Sequence, residues 1–360
     1  MTIELSSKDR LEHREPRPPV RRSSGEKDAR RPVFVAGPDR SGTTLIFALL
    51  ASHPELSMSR RTNMWRYFDR RYGDLSDPAN LDRCLDDMTQ FRRMRHLEPD
   101  RDRLRREFLD GPPTYGRLFS LFHLHHAQRA GKTRWGDKSL HTEHYVERLF
   151  QEFPDARVVY MLRDPRDRYA SIRNRWGEDR SRVAGATGRW LQSLRAAQRG
   201  AERYADRYLI VRYEDLAADP DATMRAVCDF LELSFMPELL SMDGVPEMRD
   251  RGGNSSYGAR AAGTISTSSI GRFRFVLPAP EVAFIERKVG AEMDTLGYGR
   301  ADLHLTRGAR LRFALWDMPV WTARMRVGMV LESLHRHRGE RVPASKLNHQ
   351  EEPDAGEADP

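Results

Sequence analysis

A three-layer α/β/α fold with a central parallel sheet is what this 360-residue sequence predicts, from three observations. Short apolar runs stand at Pro32-Val-Phe-Val-Ala36, Arg157-Val-Val-Tyr-Met-Leu162 and Tyr208-Leu-Ile-Val-Arg212. Each is followed by a loop rich in turn residues and then by a stretch with helical spacing. Apolar residues make up 39 % of the chain, enough for a sizeable core. Strands that alternate with helices run parallel, because each helix returns the chain to the same end of the sheet, and the helices then cover both faces.

The elements follow in order. Residues 1–31 are charged and rich in Pro, Arg and Ser, with almost nothing to bury, and read as a disordered basic arm. Pro32–Ala36 is a strand, Gly37–Gly42 a tight loop and Thr43–Ala51 a helix. Residues 56–138 read as a helical, irregular insertion over the strand ends, near the place where open α/β sheets bind substrates. It carries Trp65, Tyr67, Phe68, Tyr72 and Trp135. After the strand at 157–162, Asp164 is placed to cap a helix with Pro165 at its first position, and that helix runs through Trp176. The strand at 208–212 leads through Tyr213–Leu216 into a helix from Pro220 to Leu231. Residues 280–297 form another amphipathic helix. One domain thus covers 32–300, and 301–338 forms basic amphipathic C-terminal helices with Phe313, Leu315, Trp316, Val320, Trp321 and Met325. A packed terminal helix pair is expected there, with peripheral contact to a membrane surface as the alternative. Residues 339–360 read as a disordered tail.

Net charge is +8 and the isoelectric point about 9.6, with a mean hydropathy of −0.72. Such a balance favours an anionic partner: a nucleotide, a phosphorylated or sulfated substrate, nucleic acid or an acidic membrane face. Lys stands only at positions 8, 27, 132, 138, 288 and 346, so Arg carries the excess. No aromatic-rich nucleic-acid module is visible. Cys84 and Cys228 stand far apart, with neither metal-ligand spacing nor a disulfide framework, and read as buried thiols. The N-terminus has no apolar signal core and no window reaches transmembrane length, so a cytoplasmic protein is expected.

Gly37-Pro-Asp-Arg-Ser-Gly-Thr-Thr44 sits between strand and helix, where a P-loop-like phosphate cradle belongs. Glycines let the backbone close round an anion, and successive N–H groups and the positive helix end face it. Ser41, Thr43 and Thr44 add hydroxyl donors, and Gly42 closes the turn. A nucleotide kinase or NTPase has Lys directly after the second glycine, where this chain has Thr43, and its cation stands before that glycine, at Arg40. Grip on one anionic group without a metal is therefore expected.

These residues resemble the sulfotransferase family that uses 3′-phosphoadenosine-5′-phosphosulfate (PAPS). Asp39-Arg-Ser-Gly-Thr-Thr44 is similar to that family's 5′-phosphosulfate loop, P-[RK]-S-G-T-T, with Asp39 in place of Pro. Arg163-Asp-Pro-Arg-Asp-Arg-Tyr-Ala-Ser171 resembles its 3′-phosphate signature, an Arg closing a strand and a Ser on the next helix. Arg163 can offer a bidentate fork. Arg175 stands one turn beyond Ser171 on the same helical face, and the three donors are expected to converge on one dianion. Trp135-Gly-Asp-Lys-Ser139 is similar to the D-K-S-P stretch. Arg212-Tyr-Glu-Asp-Leu-Ala-Ala-Asp-Pro220, with Tyr213, resembles Y-E-D-L-x-x-D-P. Ser269-Ile-Gly-Arg-Phe-Arg274, with Gly271 and Arg272, looks like the late loop that closes over the nucleotide, with Phe273 for Trp.

The resemblance implies PAPS as donor, no metal, and transfer to a hydroxyl or amine of a small-molecule, carbohydrate or glycolipid acceptor. Arg40 and Lys138 are the candidates to stabilise charge on the departing phosphate and the sulfuryl oxygens. Arg60 and Arg61 stand where the family suggests a carboxylate base, so the base falls among Asp137, His141, His53 and Glu55, with Asp137 preferred because it adjoins Lys138. Arg60, Arg61, Arg66, Trp65 and Tyr67 are candidates for an acceptor pocket. The alternatives are a nucleotide kinase and a non-catalytic binder of anionic surfaces. Oligomeric state is left open.

Overall fold

The computed structural model describes residues 31–180, 183–250, 263–337 and 341–350. Its described strands form one five-stranded parallel sheet: β1 (Val33–Ala36), β2 (Leu56–Arg60), β3 (Arg134–Lys138), β4 (Arg157–Leu162) and β5 (Tyr208–Arg212), in the order β2-β3-β1-β4-β5. Alternate residues of a strand face opposite sides, which explains the two cores. Val33, Val35, Met58, Val159, Met161 and Val211 pack on α1 (Thr43–Ala51) and, further on, α8 (Pro220–Leu231). Phe34, Trp135, Val158, Tyr160 and Leu162 face the opposite layer. That layer includes α4 (Tyr115–Arg129), α5 (Val146–Glu152), α7 (Val183–Arg203) and α9 (Ala279–Thr295). Three layers result, as expected.

The segment 56–138 differs from its expected character at both ends. It begins with β2 and finishes with β3, which pair in register from Leu56↔Arg134 to Arg60↔Lys138. Between them lie α2 (Pro78–Gln90), α3 (Arg101–Leu109) and α4, as the helical reading required. In the sequence Ser57, Ser59, Asp137 and Lys138 break the apolar run that marks a strand. All four are nevertheless buried.

Helix α6 (Pro165–Arg180) starts as anticipated: the Arg166 amide donates to Asp164 Oδ1 at 2.8 Å. Gly177 leaves helical geometry with φ of 72°, so the regular run ends at Trp176. At the C-terminal end, α10 (Arg307–Arg312), a π turn (Phe313–Asp317) and α11 (Met318–His337) form one continuous run, not a pair. Its Met325 and Met329 reach Gly188 of α7. The tail reading needs correction too. Helix α12 (Ala344–Gln350) buries Ala344 and Leu347, three residues apart on one face, and the Ala344 amide donates to Asp87 Oδ1 of α2 at 3.2 Å. The arm at 1–30 and the tail beyond 350 lie outside the described residues. Among the described residues no helix is long and apolar enough to cross a membrane. Cys84 and Cys228 are free and buried.

Candidate active site

Strand β1 is central, flanked by β3 on one side and β4 on the other. The chain order therefore reverses around β1, and loops at the C-terminal ends of β1, β3, β4 and β5 open into one crevice. The loop 37–42 leaves β1 at its middle. Gly37 has φ of 125°, and a Cβ there would stand 2.7 Å from the Met161 carbonyl oxygen on β4. Gly42 has φ of 91°, and its Cβ would stand 2.5 Å from Cδ2 of Tyr213. Both positions demand glycine, for backbone and for space. Gly42→Ala is expected to cost roughly 2–5 kcal/mol, from the left-handed backbone and the displaced ring. An unchanged urea midpoint would contradict it.

Asp39, where the family pattern has Pro, gains its order from a partner. Arg168 of α6 is fully buried, donates Nε to the Asp39 carbonyl at 2.8 Å and pairs through Nη2 with the Asp39 carboxylate. Burial pushes that carboxyl up, but the Arg168 and Arg189 charges outweigh it and hold the group below its ordinary range. A part-buried ion pair thus stands in for proline stiffness. From behind, Glu143 accepts the Gly37 amide at 3.3 Å and the Ser193 hydroxyl at 2.6 Å. Neither Arg168 nor Glu143 stood out in the sequence; the Arg at the fourth position after the helix cap was the one available signal.

The two predicted anion-binding segments meet. Arg40 donates Nε to Ser171 Oγ at 2.9 Å. Arg163 donates Nη1 to the Arg40 carbonyl at 2.9 Å and Nη2 to the Ser269 carbonyl at 3.0 Å. Arg163 is 5 % exposed and lies 4.3 Å from the centre of the Tyr213 ring. The ring is therefore held between the Gly42 backbone and a guanidinium, and its hydroxyl meets Ser269 Oγ at 2.6 Å. Tyr213 positions the loop and the late segment. Arg175 does not join: it is exposed one turn beyond Ser171, and the second cation at Ser171 is Arg40. Helix α6 ends in that turn, so the face that is buried at Ser171 has left the protein by Arg175.

Gly271 and Arg272 belong to a segment tied to α6. The amides of Gly271 and Phe273 donate to the two oxygens of Asp167, at 2.6 and 2.9 Å. Burial raises the Asp167 carboxyl to about 6. Phe273 is buried with the Arg166 guanidinium 4.2 Å from its ring. Ser41 Oγ and Arg163 Nε are buried with no partner. A buried donor left unpaired is costly, so these atoms suit an anionic ligand that would complete them. The donor set around them, three hydroxyls at 41, 43 and 44 with two guanidiniums, fits phosphate or sulfate chemistry.

Lys138 ends β3 beside β1. Its Nζ stands 3.4 Å from Thr44 Oγ1, so the cation absent at position 43 arrives from a neighbouring strand. Burial, then the charges of Arg61 and Arg60, lower its ammonium to about 7. Thr43 itself is buried against the loop, with Thr44 exposed.

Asp137 does not fit the role of base. It faces the opposite side of the sheet from Lys138 and is 1 % exposed. Its oxygens accept the Ser59 hydroxyl at 3.0 Å and the Ser139 hydroxyl at 2.7 Å, and burial raises it to about 6. His53 and Glu55 precede β2, at the end of the sheet away from the loop. His53 Nε2 donates to the Ser234 carbonyl at 3.1 Å and Nδ1 accepts the Glu55 amide at 3.1 Å, a structural pairing. His141 follows β3 at the correct end. It lines a pocket with Pro38, Asp39, His144, Arg189 and Arg336. Burial, then the Arg66 charge, holds its imidazole well below the ordinary range, hence neutral.

The expected aromatic acceptor wall is not formed. Trp65 is buried edge-on against Phe119 and Phe153, and Tyr67 packs on Phe91. Arg60 and Arg61 do approach the crevice, since the Arg61 amide donates to the Lys138 carbonyl at 2.8 Å. As for metals, His141, Glu143 and His144 bring ligand atoms within 4.8 Å of one another, the one such group among the described residues. Arg336 Nη1 stands 3.4 Å from His144 Nε2 and places a positive charge beside it.

A parallel sheet between two helical layers, with a glycine-closed loop at its reversal point, defines a three-layer α/β/α protein of the P-loop-like class. The profile of the sulfotransferase family matches residues 32–237, and the chain belongs to that family. It is 25 % identical over 216 residues to protein-tyrosine sulfotransferase A of Caenorhabditis elegans, covering 58 % of this chain and 51 % of that protein. It is 28 % identical over 171 residues to carbohydrate sulfotransferase 5 of Mus musculus, covering 39 % and 41 %. The chain thus spans about half the length of these curated relatives or less. Among solved structures, the sulfotransferase domain from the curacin biosynthetic pathway superposes with a TM-score of 0.50 at 19 % identity, over 75 % of this chain and 99 % of that one. This likeness is one of fold.

Proposed function

We propose that the protein transfers a sulfuryl group from PAPS to a hydroxyl or amine of an acceptor. The reading is carried by the bridge from Arg40 to Ser171 and from Arg163 to the Arg40 carbonyl, which joins a 5′-side loop to a 3′-side socket. Arg163 and Ser171 would hold the 3′-phosphate, with Gly271 and Arg272 closing over it. Ser41, Gly42, Thr43 and Thr44 would hold the 5′-phosphate through hydroxyls and helix-end amides. Arg40, between the two, and Lys138 would stabilise negative charge as the acceptor oxygen or nitrogen bonds to sulfur and the bridging S–O bond breaks toward the phosphate. The reading assigns no step to a metal.

His141 replaces Asp137 as the base in this reading. It stands at the loop end of β3 and lines a pocket with Pro38 and Asp39 of the glycine loop, and that position is what offers its imidazole nitrogen to the acceptor proton. His141→Asn is expected to lower kcat by about 10²–10⁴ while leaving donor affinity within twofold. A kcat close to wild type would remove the histidine from the reaction. The names of the relatives add protein tyrosine to the acceptors worth screening and keep carbohydrate among them.

Calorimetry with adenosine 3′,5′-bisphosphate, ADP and ATP tests the donor. Clear preference for the bisphosphate is expected. Preference for ATP with magnesium would replace this reading with a kinase. Labelled donor and an acceptor screen then test transfer.

A further inference from the structure

The outer face of the C-terminal helix has no part in the reading above. It carries Leu311, Leu315, Trp316, Val327, Val330, Leu331 and Leu334, each at least half exposed. Counted at the α-helical turn alone these positions would spread over more than half the circumference. The π turn at Phe313–Asp317 changes the phase: its wider turn retards the rotation, so the residues before and after it fall within roughly a third of the circumference. The opposite face, with Phe313, Trp321, Met325 and Met329, packs on the body. The stripe is therefore continuous because of the irregular turn.

The borders of the stripe are cationic. Arg307, Arg310, Arg312, Arg324 and Arg326 are exposed. The two acidic residues from 307 to 337 do not offset all of them: Asp317 pairs with Arg312 at 3.5 Å, and Glu332 turns inward, 3.7 Å from Arg336. We infer that this face docks on an anionic lipid bilayer, lying in the plane of the interface with Trp316 among the headgroups. Apolar burial and attraction of arginines to anionic lipid act together there, as an interfacial helix requires. A second copy of the chain fits less well, because a two-fold contact would set the same arginine borders against each other. Inward, Arg336 and Glu332 of the same helix line the pocket that holds His141, so the crevice would stand beside the membrane. The inference rests on the helix alone and holds or fails independently of the chemistry proposed above.

Co-sedimentation of the full chain with vesicles tests it, using phosphatidylcholine alone and phosphatidylcholine with phosphatidylglycerol. Binding is expected only to the anionic vesicles, weakening with salt, with a blue shift of tryptophan emission that Trp316→Phe removes. The triple variant Arg307→Gln, Arg324→Gln, Arg326→Gln is expected to bind on the order of a hundredfold more weakly. Leu315→Ser with Val330→Ser is expected to bind at least about tenfold more weakly. All these positions are exposed, so the thermal midpoint should stay unchanged. No binding at low salt, or binding that neither variant reduces, would overturn the inference. So would a dimer, seen by light scattering, that the double serine variant dissolves in a chain that ignores vesicles.

Discussion

Arg163→Ala is expected to weaken binding of adenosine 3′,5′-bisphosphate by about 30-fold to several thousand-fold, the range for removing one member of a buried charge pair. The reason lies in how the guanidinium is held. Two of its nitrogens bond the carbonyls of Arg40 and Ser269, fixing it between the anion loop and the late segment, and the Tyr213 ring covers one face. Its buried Nε remains for a ligand. Truncation removes a charge and unties both segments at once. Arg163→Lys should recover only part of the affinity, since an ammonium lacks the planar, fixed directions by which the guanidinium reaches two carbonyls and still turns Nε to a ligand. Arg175→Ala serves as the contrast: it is exposed, and its affinity should stay within about twofold of wild type, as for a surface charge. Calorimetry decides. Equal losses at 163 and 175, or none at 163, would refute the assignment.

Lys138→Ala is expected to lower kcat by about 10²–10³, the size found when a preorganised donor is lost from a developing charge. The acting form is the ammonium. In the free protein that group titrates at about 7, far below an ordinary lysine, because burial and neighbouring arginines disfavour its charge. The sign follows: kcat/KM for the donor should fall as pH rises through about 7, since kcat/KM reports the free enzyme. In kcat the same limb should appear at higher pH, because bound anions favour the charged form. Lys138→Arg, always protonated, should shift the alkaline limb of kcat/KM upward whatever its rate. An alkaline limb that stays put in this variant would assign the titration to another group.

The conversion of Asp137 from expected base to buried structural carboxylate has a plain cause. Adjacent residues of a strand point to opposite sides, so proximity to Lys138 in sequence sets the two apart in space. The reverse holds for Arg40 and Ser171, which are 131 positions apart and in contact. Arg175 satisfied the helical spacing from Ser171, yet spacing does not say where a helix leaves the protein. Of the aromatic residues suited by type to a pocket, Trp65 is buried in the core and Tyr67 packs half-buried against its edge, because large apolar rings gain from leaving water.

What the sequence alone determined was local. Three apolar runs, a loop with glycines at 37 and 42, and an Asp-Pro helix start each state a backbone requirement that neighbouring residues satisfy or fail. Those elements stand where they were expected. The tertiary structure decided which of them meet. The order β2-β3-β1-β4-β5 sets Lys138 beside Thr44, Arg168 on Asp39 and Arg163 under Tyr213, and it reveals β2 and β3 under polar sequence. Strand order depends on long-range packing of both sheet faces, which no short window of sequence contains.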